Sequence, residues 1–341
     1  MKLKNLKGKP IIVVGGAGYI GSHVCKTISS KGGIPIVFDD FSAGHEHSIK
    51  WGPSELVDLR DSKAILKAFE KYKSVETVIH LASSIEVSYG ESFPSEFYTN
   101  NVLGTLNLLN AMKNTNARKI IFSSTCATYG EIDDVPIMET VTQNPSSVYG
   151  KTKLAIEHMI ESFHTAYGLD YIILRYFNAA GADPEGDIGE EHEPETHLIP
   201  NALEAAANGK FMKIFGDDYD TIDGTCMRDY IHVNDIAEAH IHSMQAQENG
   251  LVAADVNIGT GTAYSVLQII NMIEKVTGYS VKYKICKRRA GDLSKLYADT
   301  SKAEKVLGFK TKYSDLENII QTAWNFYKNK NKRFNKKNSL L

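Results

Sequence analysis

The sequence predicts an α/β fold in which a doubly wound parallel sheet precedes a smaller, mixed α/β C-terminal domain. Short β-branched runs alternate with helical stretches, a glycine-rich turn follows the first run, and the alternation loosens after about residue 175. Strands separated by whole helices pair in parallel through right-handed crossovers, which places helices on both faces of the sheet. These observations make the N-terminal part Rossmann-like.

Each element follows from its own run of residues. The predicted strands are 11–14, 36–38, 55–58, 77–81, 119–122, 171–174 and 256–258. The predicted helices are 19–29, 61–71 with Asp61 as its cap, 97–114, 148–167, 199–208, 233–247, 266–277 and 315–328. Residues 183–196 are acidic and rich in Gly and Pro. We expect an irregular segment there, and long irregular segments in compact domains are usually functional or disordered.

Composition narrows the possible classes of protein. The chain has 341 residues, 43% hydrophobic and 23% charged, which suits one large or two coupled globular domains and excludes a disordered polymer. A net charge of -3 offers no basic field for nucleic acid or a membrane surface. The four cysteines have no metal-binding spacing, so we expect reduced thiols and no metal. Without an apolar run that could cross a membrane, a soluble, cytoplasmic protein is the expectation.

The turn after the first strand predicts a dinucleotide site. It reads Gly15-Gly16-Ala17-Gly18-Tyr19-Ile20-Gly21 and opens a helix, so the backbone can approach a pyrophosphate at the helix N-terminus. Asp39 ends the next strand, where a carboxylate binds ribose hydroxyls and repels a 2′-phosphate, which favours NAD over NADP. Asp40 is the adjacent candidate for that role. Asp58 and Leu59 follow the third strand, where either an adenine contact or a helix cap would fit.

A tyrosine and a lysine carry the predicted chemistry. Tyr149 and Lys153 stand four residues apart near the start of a helix, so their side chains share one face. A nearby ammonium and a nicotinamide cation both stabilise phenolate, which lets Tyr149 take a proton while hydride leaves the same carbon. Thr125 follows a strand at the carboxyl edge of the sheet, where α/β folds bind ligands. Its hydroxyl could bridge the substrate oxygen and Tyr149.

These motifs together resemble the extended short-chain dehydrogenase/reductase family and, within it, the UDP-glucose 4-epimerases. The resemblance covers about residues 9–327. Besides the glycine turn with Ser22-His23 and the Tyr149-Gly150-Lys151-Thr152-Lys153 motif, it rests on Asn100-Asn101-Val102-Leu103-Gly104-Thr105, Arg175-Tyr176-Phe177-Asn178-Ala179-Ala180-Gly181-Ala182, Asp223-Gly224-Thr225-Cys226-Met227-Arg228-Asp229-Tyr230-Ile231-His232-Val233 and Arg288-Arg289-Ala290-Gly291-Asp292.

The resemblance implies a role for each matching residue. Tyr149, Lys153 and Thr125 would be catalytic. The implied NAD-binding residues are Gly15, Gly18, Tyr19, Ile20, Gly21, Asp39, Asp40, Asp58, Leu59, Leu81, Ala82, Ser83, Asn100, Ser123, Ser124, Tyr149, Lys153 and Tyr176. The implied UDP-sugar contacts are Thr125, Tyr149, Asn178, His197, Leu198, Phe215, Arg228, Arg289, Asp292 and Leu296. Arginines at Arg228 and Arg289 suit a diphosphate, because a guanidinium binds phosphate in a bidentate manner. For Arg228 alone, a surface ion pair with Asp229 is the other interpretation.

The chain departs from the family pattern at three places. His197 stands where the uridine-binding loop has asparagine. Ser84-Ile85-Glu86 stands where many members have a lysine that contacts the NAD phosphates. Leu296 stands where a tyrosine crowds an N-acetyl group at C2 of the sugar. Leucine is smaller than tyrosine, so we expect N-acetylated UDP-hexoses to be accepted as substrates as well.

The implied activity is reversible inversion at C4 of a UDP-hexose through a 4-keto intermediate, with NAD bound throughout. A 4,6-dehydratase would need an acidic pair beside Thr125, where Cys126 and Ala127 stand. A UDP-glucuronate epimerase would need an additional cation for the sugar carboxylate. A non-catalytic NAD-binding protein would usually lack the Tyr or the Lys.

The predicted division of the chain has three parts. Residues 9–175 form the NAD-binding domain, to which some later segments return, and residues 176–328 form most of the UDP-sugar domain. Residues 329–341 form a basic, disordered tail, for which a nucleic-acid or membrane arm is the alternative. The resemblance also implies a homodimer through the long helices that begin near 97 and 148.

Overall fold

A computed structural model describes residues 6–132, 134–289 and 292–338, with side chains to 331. The strands are β1 Pro10–Val14, β2 Ile34–Asp39, β3 Ser54–Leu56, β4 Thr77–His80, β5 Lys119–Thr125, β6 Asp170–Tyr176, β7 Asn178–Ala180, β8 Phe211–Phe215, β9 Met227–His232, β10 Ala253–Ile258, β11 Ala263–Ser265, β12 Lys282–Cys286 and β13 Lys295–Leu296. The helices are α1 Tyr19–Ser30, α2 Ser62–Lys71, α3 Val87–Ser92, α4 Pro94–Phe97, α5 Gly104–Lys113, α6 Val148–Tyr167, α7 Leu198–Asn208, α8 Val233–Glu248, α9 Val266–Thr277 and α10 Leu316–Asn338.

Seven strands form a parallel sheet in the order β10-β6-β5-β4-β1-β2-β3. The strand order reverses between β1 and β4, so this is a doubly wound sheet with its crevice at that point. Four consecutive residues of β1, Ile11 to Val14, are buried, as expected for a central parallel strand covered on both faces. The predicted Rossmann-like fold is confirmed.

Two apolar layers cover the faces of this sheet. On one face Val24 and Ile28 of α1 pack with Ile236 and Ile241 of α8. On the other face, helices α2, α5 and α6 contribute Ile65, Leu108 and Ile156. Burying these stripes removes apolar area from water on both sides, which is the main force that holds a doubly wound fold together.

The C-terminal part builds a second, smaller layer. Strand β9 pairs with β7 and β13 in parallel and with β11 antiparallel, while β8 pairs with β12. Helices α7, α9 and α10 pack on this part through a core that includes Leu203, Ile270 and Ile320. The chain then returns to the first sheet, since β10 pairs with β6 along its whole length.

The sequence prediction missed or misplaced several elements. The predicted helix 97–114 is α4 and α5 joined by a π-helical stretch, Tyr98–Leu103. Helix α3 and strands β7, β8, β9, β11, β12 and β13 were not predicted. Helix α10 continues past Lys328, so the backbone of residues 329–338 is helical rather than part of a disordered tail, and residues 339–341 lie outside the described part. Within the described residues, no helix is both long and apolar enough to span a bilayer.

Candidate active site

Three of the four glycines in the turn, Gly15, Gly16 and Gly21, are required by packing, and Gly18 is not. Gly15 has φ +82°, and an added Cβ there would lie 2.5 Å from Ala82 N. An added Cβ at Gly21 would lie 2.0 Å from Gly15 O. At Gly18 it would meet, among the described residues, only Gly15 O at 3.5 Å. The surface at Gly18 is therefore open to a ligand.

The N-terminus of α1 is also free to bind an anion. Helix α1 begins at Tyr19 with Gly18 as N-cap, and no described side chain caps it. The first-turn N–H groups of a helix have no intrahelical partners, so this end of α1 offers donors that suit an anion such as a pyrophosphate. Tyr19 itself is anchored, because its hydroxyl donates to Gly181 O at 2.6 Å. Ile20 follows it in this first turn.

Asp39 lies beside this turn, at the end of β2. Its carboxylate is buried and accepts from Ala17 N–H and Phe41 N–H, each at 2.9 Å, although burial raises its pKa. Asp40 faces outward and accepts from the Ser42 amide and hydroxyl. The predicted carboxylate therefore has a fixed orientation next to the helix N-terminus.

The side chains of Asp58 and Leu59 both contact other parts of the protein. Asp58 forms a bidentate ion pair with Arg60, with contacts from 2.8 to 3.0 Å, and the cap of α2 is Asp61 instead. The Leu59 side chain is buried in the core, so the backbone is what it offers to a ligand. The adenine contact at these two residues stays a prediction.

The loop after β4 closes the other side of the crevice. The amides of Leu81 and Ala82 donate to Val14 O at 2.8 and 3.1 Å, which joins the ends of β4 and β1. Ser83 is half-buried, and Asn100 donates from Nδ2 to Ser84 Oγ at 2.8 Å. Ile85, at the position of the missing lysine, is 43% exposed.

Tyr149, Thr125 and Lys153 lie together at the carboxyl end of β5. Ser147 caps α6, so Tyr149 and Lys153 project from its first turns. The Thr125 hydroxyl interacts with the Tyr149 phenol and acts to lower its pKa, and the Thr125 oxygen accepts a hydrogen bond from Ala127 N–H at 3.1 Å. Because that oxygen accepts from the backbone, the Thr125 proton is free to be donated to Tyr149 or to a substrate oxygen.

Burial controls the charge of this group. It raises the pKa of the Tyr149 phenol well above its usual range, and the bond from Thr125 only partly offsets this. It also lowers the pKa of Lys153 to about 7, although the Glu157 carboxylate opposes the shift. Desolvation therefore outweighs the protein groups that would stabilise a phenolate at Tyr149. The joint effect of Lys153 and a nicotinamide cation on this phenol stays a prediction.

Lys153 is held by the backbone of β5. Its Nζ donates to Ser123 O at 2.8 Å and lies 5.8 Å from the centroid of the Tyr149 ring. Ser124 donates to Glu157, and the Tyr176 hydroxyl lies 2.7 Å from His240 Nε2. Both hydroxyls have protein partners, so their part in binding a cofactor stays a prediction.

Sequence reasoning missed Glu157. It is 1% exposed and receives hydrogen bonds from Ser124, Gln143 and Arg175, the last at 2.8 Å. Its position one turn beyond Lys153 was the available signal, since a carboxylate at that helical spacing faces the same side.

A second region of the site is a cavity of about 460 Å³ between α7 and β8. Its lining includes five residues that the resemblance implied, Leu198, Phe215, Arg228, Arg289 and Asp292. Arg289 stacks on the Phe215 ring with its guanidinium carbon 4.0 Å from the centroid. Ala290 and Gly291, between Arg289 and Asp292, lie outside the described residues.

Arg228 is fixed across this cavity. It donates to Asp292 and, at 2.8 Å, to Leu293 O. The alternative ion pair with Asp229 is not formed, because that carboxylate instead accepts from Thr260 and Gly261. Cys126, the neighbour of Thr125, belongs to an apolar cluster against which Leu296 packs, and Leu296 lies opposite Arg228 on the neighbouring strand. The cavity and the Tyr149 region are therefore adjacent.

The remaining predicted contacts flank the cavity. Its described lining residues do not include Asn178, His197 or Leu296. Asn178 and Leu296 lie opposite Tyr230 and Arg228 on neighbouring strands, and Asn178 donates to Asp229 O at 3.0 Å. His197 precedes α7 and pairs with Glu190. Burial, the largest single effect, lowers the pKa of His197, but the hydrogen bond and the carboxylate charge of Glu190 together raise that pKa overall.

Comparisons with known proteins agree with this geometry. Residues 11–259 match the NAD dependent epimerase/dehydratase family. A UDP-glucose 4-epimerase of Rhizobium meliloti (strain 1021) is 45% identical over 327 residues, which are 96% of this chain and 99% of that protein.

Solved structures give the same result. The UDP-glucose 4-epimerase of Brucella ovis in complex with NAD has a TM-score of 0.91 and 46% identity, over 94% of this chain and 98% of that chain. The UDP-glucose 4-epimerase of Bifidobacterium longum in complex with NAD+ and UDP has a TM-score of 0.87 and 34% identity, over the same shares of the two chains.

Proposed function

Because this chain belongs to the NAD dependent epimerase/dehydratase family, we propose that it inverts C4 of UDP-glucose and UDP-galactose reversibly, with NAD tightly bound. The observation that carries the proposal is that half-buried Tyr149 and Thr125 lie together near a cavity lined by Arg228 and Arg289. One part suits proton transfer at a sugar hydroxyl, and the other suits a diphosphate.

The dinucleotide site fits NAD. Gly18 and the uncapped N-terminus of α1 would hold the pyrophosphate, and Asp39 would accept from the adenosine ribose hydroxyls. When bound there, NAD supplies a hydride acceptor and donor, so the reaction has no net redox change. The buried Asp39 carboxylate repels a 2′-phosphate, which favours NAD over NADP.

Tyr149 holds and moves the proton. In its phenolate form it takes the proton of the sugar 4-hydroxyl and later returns that proton, while Thr125 donates a hydrogen bond to the same sugar oxygen. Between these events the sugar is a 4-keto intermediate that exposes its other face. Lys153, fixed by Ser123 O, supplies positive charge beside the phenol, and Glu157 favours its charged form.

The residues that bind UDP would hold it in place while the 4-keto sugar turns to expose its other face. Arg228 is held by Asp292 and Leu293 O, and Arg289 by the ring of Phe215, so neither guanidinium needs much ordering to bind a diphosphate. The UDP stays in place while the sugar turns between two poses.

The other activities of this fold are less well supported. A 4,6-dehydratase needs an acidic pair where Cys126 and Ala127 stand, and Cys126 is buried. A non-catalytic NAD-binding protein is disfavoured because the Tyr149 and Lys153 motif is intact.

Three finer features belong to the proposal. Leu296, on β13 opposite Arg228, is smaller than the tyrosine that would crowd an N-acetyl group, so N-acetylated UDP-hexoses belong to the proposed substrates. The apolar side chains of Tyr98, Leu103 and Tyr167, each more than 40% exposed, support a homodimer through the π-helical stretch and α6. The four cysteines are free thiols, which suits the reducing cytoplasm.

The deciding experiment is incubation of the purified protein with UDP-galactose and no added cofactor. We expect UDP-glucose to form until both sugars are at equilibrium, because NAD is carried by the protein. Protein confirmed to contain NAD that forms no UDP-glucose would contradict the proposal.

A further inference from the structure

Four side chains that precede α7 form a compact cluster outside the reaction chemistry. Their donor atoms all lie within 4.8 Å of one another, and we call them the His–Glu cluster: Glu190, His192, Glu195 and His197. We propose that the His–Glu cluster binds a divalent transition metal ion, with Zn²⁺ as the best-fitting ion.

The donor set suits Zn²⁺. Two imidazoles and two carboxylates are ligands that Zn²⁺ takes in a tetrahedral site, and two carboxylates balance its charge. Oxygen-only groups favour Mg²⁺ or Ca²⁺ instead. The other acidic group in the described part, Asp183 with Glu185 and Asp187, has only oxygen donors. It already has a positive partner in Lys26, which lies 2.8 Å from Asp183.

The donors of the His–Glu cluster converge on one point. His192 Nδ1 is buried and lies 3.2 Å from Glu190 Oε1, yet it has no properly aligned hydrogen bond with any described residue. His197 Nδ1 contacts the same Glu190 oxygen, and Glu195 lies 3.9 Å from His192 Nδ1. A buried nitrogen that lies within 4 Å of two carboxylates and makes no hydrogen bond within the described part of the chain is an environment that a metal ion would complete.

Neighbouring groups hold these donors in place. Glu195 accepts from the amides of Thr196 and His197 at 2.8 and 2.9 Å. The His192 ring packs edge-on against Tyr19, with centroids 6.5 Å apart. Supporting contacts of this kind orient metal ligands and raise affinity. The Glu190 side chain is 7% exposed and that of His197 is 49% exposed, so the cluster is built into the protein yet has an entry path.

The His–Glu cluster lies between the two regions of the active site. Tyr19 begins the helix at the dinucleotide turn, while Thr196 and Leu198, on either side of His197, line the UDP cavity. An ion bound here would fix the wall of that cavity. This effect on the substrate rests on the proposed function, whereas metal binding itself does not.

The test measures metal binding directly. Full-length NAD-loaded protein without a polyhistidine tag is dialysed against Zn²⁺, and the bound metal is quantified. We expect one Zn²⁺ per chain. Affinity should fall about tenfold or more in His192→Ala and in Glu195→Gln. It should stay unchanged in His158→Ala, which removes an exposed histidine of α6. No stoichiometric Zn²⁺, or equal affinity in wild type and His192→Ala, would overturn the site.

Cobalt identifies the ligands. Co²⁺ in the His–Glu cluster should give visible d–d absorption without a thiolate charge-transfer band. A thiolate charge-transfer band would show that the ion is bound by a cysteine instead, and this would overturn the assignment. NAD content and the melting temperature check that each variant is folded. If the His192→Ala protein loses its NAD, the Zn²⁺ affinity of the Glu195→Gln protein decides whether the site exists.

Turnover is measured separately. Zn²⁺ should change the KM for UDP-galactose and leave kcat nearly constant. If Zn²⁺ binds and no form of the protein turns over UDP-galactose, the proposed function fails while the metal site stands.

Discussion

Lys153 Nζ lies 5.8 Å from the centroid of the Tyr149 ring, and its hydrogen bond goes to Ser123 O. The lysine is therefore anchored by the strand that carries Thr125, with its ammonium near the face of the phenol ring. In the proposed mechanism Tyr149 transfers the proton and Lys153 gives only electrostatic support.

Replacing Tyr149 by phenylalanine tests the assigned base. Phenylalanine keeps the ring but removes the hydroxyl that Thr125 contacts. We expect kcat to fall by about 10²–10⁴-fold, the usual contribution of a positioned acid–base group. NAD content should be unchanged, which absorbance of released nucleotide measures. A variant that keeps most of its activity would rule Tyr149 out as the base.

The buried Lys153 gives a pH dependence of stability. Its pKa is lowered to about 7 from 10.5, so between these values the unfolded chain binds the proton and the folded protein does not. Burial of Lys153 therefore destabilises the folded protein most below pH 7, and this cost decreases as the pH rises. Relative to Lys153→Met, the free energy of unfolding of the wild type should rise from pH 7 to 9, by at most about 1.4 kcal/mol per pH unit.

The measurement is denaturant unfolding of nucleotide-stripped protein at several pH values. The range stops at pH 9 because of Tyr149, whose pKa is raised in the folded protein. At higher pH the tyrosine of the unfolded chain ionises first, which lowers the free energy of unfolding. Parallel pH curves for the two proteins would contradict the prediction.

Gly18 and Gly21 offer a matched pair of substitutions. Gly18→Ala meets only Gly15 O at 3.5 Å among the described residues, so unfolding free energy should change by less than about 1 kcal/mol. The methyl group would occupy the pyrophosphate position, and NAD affinity should fall about tenfold or more. Gly21→Ala places Cβ 2.0 Å from Gly15 O and should destabilise the fold by about 1–3 kcal/mol. Denaturant unfolding and calorimetric NAD titration distinguish the two effects.

Asp39 should set the choice between NAD and NADP. Asp39→Asn removes the negative charge beside the ribose position, so the ratio of NADP to NAD affinity should increase. Asp40→Asn is the control, because Asp40 is bonded to Ser42 and faces outward. Mass spectrometry of the nucleotide retained after exposure to both cofactors reports the ratio. An equal increase in both variants would mean that overall charge, rather than Asp39, is responsible.

Leu296 should set the tolerance for an N-acetyl group. Leu296→Tyr adds bulk next to Arg228, so turnover of UDP-N-acetylgalactosamine should fall much more than turnover of UDP-galactose. Both rates are measured on the same preparation by separating the product sugars. Equal losses on the two substrates would indicate a packing defect instead.

The sequence was most informative where function restricts it. The glycine turn, Asp39 and the Tyr149–Lys153 helix were predicted from local pattern, because each needs particular residues at fixed spacing on one element. Helix α6 was predicted with its observed bounds, since its cap Ser147 and the glycine after Tyr167 are both in the sequence.

What was missed depends on contacts between distant residues. Strands β7, β11 and β13 have two or three residues each and owe their form to pairing with β9. The hydrogen bond between His47 and Glu191 joins residues 144 positions apart, at 2.7 Å. No local periodicity reveals such contacts, because the fold brings these residues together.

The late arrival of β10 constrains how this protein is made. Strand β6 has an unprotected edge of seven residues until residues 253–258 leave the ribosome and pair with it. A nascent chain that stops near residue 176 would thus present an apolar strand edge, which favours aggregation. The UDP-sugar segments are made while the nucleotide sheet is still incomplete, so the two halves must finish folding together.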